Sequence, residues 1–301
     1  MRSRITIIVR STVVLASFII LLAHSVPQLA ARSDDPHTLP GWELAWSEEF
    51  NTTGSPDNSK WDYEEGFIRN HELQYFTRAR KENARVENGV LVIESRKEQF
   101  KNPTFDAKAR DRNWKNTREF AEYTSASLIT KSKASWTYGR FEVRAKLPTG
   151  KGTWPAIWTL GTNFDRVSWP ACGEIDIMEN VGFDPDVIHF NVHTMKYNHV
   201  DNTHKGSKTT IPKPYADFHV YAVEWYADRL DFFVDDKKYF TFRNEGTGKE
   251  CWPFDEPQYL LLNIAIGGDW GGQKGIDDAI FPQKMIVDYV RVYRSKTSDS
   301  Q

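Results

Sequence analysis

Apolar residues in this chain recur with a period of two over short stretches, and the stretches are separated by turn signals. Phe141, Val143, Ala145 and Leu147 alternate with Glu142, Arg144 and Lys146, which predicts a half-buried strand over 141–147. Val90-Leu91-Val92-Ile93 starts directly after Asn88-Gly89, a pair suited to tight hairpin turns. Residues 230–234 and 238–242 flank Asp235-Asp236, which predicts a hairpin. Residues 259–266 are apolar except for Asn263 and have the length of a central strand. No long stretch carries the 3.6-residue period of a helix; residues 101–118 are mostly polar and predict a surface loop or a short helix. Short strands in series, without a repeat, predict an all-β protein of the β-sandwich type.

The two ends are different material. Arg2, Arg4 and Arg10 precede or open an apolar run over 13–22, no Asp or Glu occurs before Asp34, and Ala30-Ala31 closes the segment. This is the layout of a secretory signal peptide over residues 1–31, and the apolar run is short for a membrane span. An uncleaved signal anchor is the competing reading, because Leu29-Ala30-Ala31 is an imperfect cleavage site. Residues 32–40 read as a linker, 41–295 as one domain and 296–301 as a polar tail. The expected location is secreted or periplasmic, and the expected state a monomer.

Composition narrows the chemistry. The formal net charge of -2, with no basic block, argues against a nucleic-acid partner. The 11 Trp and 12 Tyr supply aromatic faces that stack on the apolar faces of sugar rings, although a sandwich core claims a share of them. Cys172 and Cys251 are the only cysteines. They fit one disulfide in an oxidising compartment or two buried thiols, and are too few for a zinc site.

The segment Glu174-Ile175-Asp176-Ile177-Met178-Glu179 sets three carboxylates among apolar residues. Alternation puts Glu174 and Asp176 on one face of a strand, and strict alternation would turn Glu179 to the other, into the core. An unpaired charge there is costly, so we expect a β-bulge at Ile177-Met178 that returns Glu179 to the acidic face. Crowded acids raise one another's pKa, and a pair with one ionised and one protonated member is what glycosidic hydrolysis needs. Retaining enzymes hold the two about 5–5.5 Å apart.

This segment resembles the Glu-x-Asp-x-x-Glu signature of glycoside hydrolase family sixteen, in its laminarinase-like or mixed-linkage branch. Further segments follow in family order: Trp46-Ser47-Glu48-Glu49-Phe50-Asn51, Asn70-His71-Glu72-Leu73-Gln74-Tyr75-Phe76-Thr77, Tyr138-Gly139-Arg140-Phe141-Glu142, Gly152-Thr153-Trp154-Pro155-Ala156-Ile157-Trp158 and Val287-Asp288-Tyr289-Val290-Arg291-Val292-Tyr293. The resemblance implies a jelly roll with a substrate cleft on its concave sheet. It implies Glu174 as nucleophile, Glu179 as general acid/base and Asp176 as the residue tuning the nucleophile. It further implies a secreted retaining endo-β-glucanase acting on β-1,3-glucan or mixed-linkage β-1,3-1,4-glucan, with no cofactor for catalysis. A non-catalytic, lectin-like glucan binder and an agarase- or carrageenase-like hydrolase are the alternatives. Trp154 and Trp158, four apart on a strand, share a face and are expected beside the scissile bond. Trp270, in a glycine-rich loop, is expected to be exposed and to contact sugar. Asn70, Arg140, His193, Asn263 and Glu224 complete the expected cleft, whereas His189 reads as a core histidine. Histidines four apart on a strand lie about 13 Å apart, too far to share a metal. Some family members bind a structural calcium; the matching positions are Glu49, the Gly89 carbonyl and Asp288. Residues 101–118 and Tyr197-Asn198-His199 are where walls of the cleft are expected to be shaped.

Overall fold

The structure is a computed structural model and describes residues 39–296. The expected leader, nearly all of the expected linker, and tail residues 297–301 lie outside the described residues. The strands in chain order begin with β1 (Trp42–Glu48), β2 (Asp62–Tyr63), β3 (Gln74–Phe76), β4 (Ala84–Glu87), β5 (Val90–Lys101) and β6 (Phe120–Ser125). Next come β7 (Ser127–Ile129), β8 (Gly139–Lys146), β9 (Thr153–Gly161), β10 (Glu174–Glu179), β11 (Val187–His193) and β12 (Lys205–Thr210). The series ends with β13 (His219–Trp225), β14 (Arg229–Val234), β15 (Lys237–Arg243), β16 (Gln258–Ile266) and β17 (Gln283–Ser295). The two helical turns that matter here are α1 (Phe164–Val167) and α2 (Gly268–Gly271).

These strands make two sheets. One runs β12-β11-β10-β9-β16-β7-β2; the other runs β15-β14-β13-β8-β17-β5-β6-β3, with β1 on β17 and β4 on β5. The architecture is the expected all-β jelly-roll sandwich. Alternation along each strand supplies the layer between the sheets. Ile157, Ile175, Ile188, Phe190, Val192, Leu262 and Ile264 face inward from the first sheet, and Phe141, Val143, Tyr221, Val223, Phe232, Val287 and Val290 from the second. β16 is buried at all nine positions because its other face is covered too. Leu261 and Tyr259 there join Ile129, Trp158, Leu160 and Cys172 in a second apolar cluster.

Local chemistry accounts for the connections. Asp235 and Asp236 both take positive φ, 48° and 63°, as a two-residue hairpin between β14 and β15 requires. The Asp235 carboxylate fixes that turn by accepting a hydrogen bond from the Val220 backbone N–H at 2.9 Å. β5 runs far beyond the expected residues 90–93, because its second half alternates polar and part-buried positions while pairing with β6. Residues 101–118 form the expected surface loop, with a short 3-10 helix at Asp111–Asn116. Asn102 Nδ2 ties its ends together by donating to the carbonyls of Lys115 and Arg118, both at 3.0 Å. Cys172 and Cys251 are two buried free thiols rather than a bridge. Burial pushes the Cys172 thiol up to about 12, so it stays protonated and unreactive at neutral pH.

Candidate active site

The acidic segment is β10, and it carries the expected bulge. Against β9 the register runs Asp176 to Trp158 and then Met178 to Ile157 and Glu179 to Ala156, so Ile177 is one residue extra. Against β11, Asp176 faces Asn191 and Glu179 faces His189. Ile177 and Met178 both enter the core and are fully buried. Two consecutive inward residues reset the alternation, and Glu179 returns to the face of Glu174 and Asp176.

That face is the floor of a cleft of about 470 Å³. Trp154 and Trp158 reach it from β9, His189, Asn191 and His193 from β11, and Asn263 from β16. Arg69, Asn70 and Glu72 line it too, together with Asp269 and Trp270 of α2. His199 and His204, from the connection between β11 and β12, line it as well.

Each carboxylate is held by named donors. Trp169 Nε1 donates to Glu174 at 2.9 Å. Trp154 Nε1 and Asn191 Nδ2 donate to the two oxygens of Glu179, at 3.0 and 2.8 Å. Asp176 is 2% exposed and lies 3.3 Å from His193 Nε2. Ligand-type atoms of Glu174, Asp176 and His193 lie within 4.8 Å of one another, the one such group of three found among the described residues. Burial raises all three carboxyl groups above their ordinary range. Asp176 and Glu179 add to the rise at Glu174, whereas His193 and Arg69 oppose it. Interacting buried acids titrate as a set rather than one by one. Glu72, also buried, is pushed up to about 7.

The aromatic walls are fixed as well. Trp158 Nε1 donates to Asn263 Oδ1 at 2.7 Å, and the Arg69 guanidinium sits 4.8 Å from the Trp158 ring centre. Trp270 packs edge-on against Trp154 at 5.4 Å and against His189 at 4.9 Å, so it is half-buried rather than freely exposed.

Arg140, Glu224 and His189 lie elsewhere than expected. Arg140 and Glu224 lie on β8 and β13 of the other sheet, directly opposite each other, and do not line the cleft. Arg140 is 4% exposed and spends its guanidinium on Glu142 at 2.7 Å and Glu224 at 2.8 Å, a buried ion pair of the sandwich. His189 is a cleft residue, not a core one. Burial, with Lys208 adding, lowers its pKa to about 4, so it is neutral at neutral pH. Glu49, Gly89 and Asp288 lie at one stretch of the ten-stranded sheet, where Glu48 faces Val290 and Val287 faces Leu91. There Glu49 accepts two hydrogen bonds from Arg291, and Asp288 one from Arg144.

Sequence reasoning missed Asn191, Trp169, Arg69, Glu72, His204, Asp269 and Gln273. Asn191 carried a usable signal, since it stands in phase between His189 and His193 on one strand. The others come from loops and from the single turn α2, where no periodicity assigns a face.

Buried carboxylates with raised pKa values on the floor of an aromatic-walled cleft are equipment for glycosidic bond cleavage, and this fold and site define a glycoside hydrolase. The particular family follows from comparison: the family model of the glycosyl hydrolases family 16 matches residues 73–291, and the chain belongs to that family. A β-glucanase from Rhodothermus marinus is 52% identical over 271 residues, 87% of this chain and 88% of that protein. The solved laminarinase from Rhodothermus marinus aligns with a TM-score of 0.75 at 50% identity, over 84% of this chain and 98% of that one. A non-specific endo-β-1,3(4)-glucanase of the family, presenting 1,3-β-D-cellobiosyl-glucose at its active site, aligns with a TM-score of 0.76 at 50% identity, over 84% and 95%.

Proposed function

We infer that the protein is a retaining endo-β-glucanase that cleaves β-1,3-glucan and mixed-linkage β-1,3-1,4-glucan as a monomer. The bulge at Ile177-Met178 carries the mechanism, because it sets Glu174 and Glu179 on one cleft floor. Glu179 gives its proton to the glycosidic oxygen while a Glu174 oxygen bonds to the anomeric carbon and the leaving sugar departs. Glu179, now ionised, takes a proton from water, and the hydroxide oxygen displaces Glu174 from the same carbon. Two inversions restore the starting anomer. The printed activities of the similar proteins support the substrate class: β-glucanase, laminarinase and endo-β-1,3(4)-glucanase. The leader-like composition of residues 1–31 supports export to where polysaccharides lie.

Product profiling on laminarin, curdlan, barley β-glucan and agarose tests this. Oligosaccharides from the first three, released first as the β-anomer by NMR, are the expected result. Cleavage of agarose alone, an α-anomer, or binding without release contradicts it.

A structural calcium at Glu49, the Gly89 carbonyl and Asp288 belongs to the same proposal. The donors are all oxygen, as calcium prefers, and a bound ion would share its carboxylates with Arg291 and Arg144. Chelation is expected to lower Tm by about 5 °C or more relative to protein holding calcium at a hundred times its Kd. Differential scanning calorimetry reads this, and an unchanged Tm counts against the ion.

A further inference from the structure

Asn70 and His71 are consecutive non-glycine residues in the left-handed region, with φ of 51° and 49°. Such backbone persists only where its surroundings hold it. Here the Asp269 N–H donates to the Asn70 carbonyl at 2.9 Å, and the Asp269 carboxylate meets His71 Nδ1 at 3.2 Å. The rest of the support comes from residues 101–118. The Trp114 ring lies 5.1 Å from the His71 ring and 6.2 Å from Phe67, and Arg118 donates to the Glu72 carbonyl at 3.3 Å.

Asn70, Glu72 and Asp269 line the cleft, so His71 stands at its rim. This rim adjoins the end of β16, where Glu72 bridges to Gly267. The His71 side chain is 63% exposed, and Trp114 is half-buried beside it. The loop therefore leaves two adjacent rings, tilted by 46° to each other, open to solvent next to the cleft-lining Asn70 and Glu72.

We propose that His71 and Trp114 form an additional glucosyl-binding subsite, built by residues 101–118, that stacks a sugar ring lying beyond those seated over Glu174 and Glu179. The occupant is the continuation of the glucan chain itself, so the subsite favours long substrates over short ones. This rests on the glucanase reading given above.

The test compares wild type with Trp114→Ala on β-1,3-gluco-oligosaccharides of graded length. Losing one stacking ring is expected to lower kcat/KM about three- to tenfold on the hexasaccharide and heptasaccharide and to leave the trisaccharide unchanged. Trp114→Phe should recover most of the loss, and His71→Ala should repeat it if Trp114→Ala fails to fold. Binding of the hexasaccharide to an inactive Glu174→Gln background, with and without Trp114→Ala, should show the same ratio by calorimetry. An equal loss at every length makes Trp114 a structural prop and overturns the subsite, as does no loss at any length. A wild-type protein that cleaves none of the series overturns the glucanase reading and the subsite together, which sets that failure apart.

Discussion

Replacing Glu174 by Gln is expected to leave less than about one percent of wild-type turnover on laminarin, the lower bound of what a positioned catalytic group supplies. The same variant is expected to melt higher than wild type at neutral pH. Glu174, Asp176 and Glu179 are all raised, with burial the first cause at each. The folded protein therefore holds these protons more tightly than the unfolded chain. Stability from this source is fully present below the ordinary carboxylate range and is lost as pH rises through the raised pKa values. Above those raised values the wild type bears the cost of crowded, desolvated charge, and a neutral amide of the same shape removes part of it. The Tm difference between variant and wild type should widen from pH 4 to pH 8, by about 2–4 °C for each kcal/mol relieved. Turnover above one percent would remove Glu174 from the chemistry. A Tm gap that narrows with pH would mean that the acids are not under electrostatic load.

Much of this site was readable from local chemistry. Three acids separated by Ile175, Ile177 and Met178 specify a bulge, because any regular register buries Glu179 among apolar side chains. The Asp235-Asp236 hairpin and the apolar run of β16 were legible for the same reason: neighbouring residues decide them. Arg140 and Glu224 were misplaced because nothing in a strand's own alternation says which sheet it joins. β8 and β13 pair through contacts 84 residues apart in sequence, as the Arg140–Glu224 bond shows. His189 looked like a core residue, yet it shares its phase with His193 and faces the cleft beside Trp270. Trp169, which donates to Glu174, sits between α1 and β10 in a loop, beyond the reach of any period. Sequence periodicity thus locates the floor of the cleft, whereas its rim depends on loops that meet only after folding.

Glu179→Ala should separate the acid role from the nucleophilic one. Hydrolysis of laminarin is expected to fall about 10²–10⁴-fold, the usual contribution of general acid catalysis. A dinitrophenyl β-glucoside of laminaribiose has a leaving group that departs without a proton, so its first step should survive in the variant and appear as a burst. The pH profile gives a second reading. A raised carboxyl keeps its proton to higher pH, so the wild-type alkaline limb should lie above the ordinary Glu pKa of about 4.3, and activity should fall as pH rises through it. Trp154 and Asn191 each donate to one Glu179 oxygen and still leave lone pairs where that proton can sit. With Glu179 gone, the alkaline limb should vanish for the activated substrate, because no remaining step needs the acid. Equal losses on laminarin and the activated glycoside, or an alkaline limb that persists, would assign the proton to another member of the set, and Asp176 is the one that lies nearest in the chain.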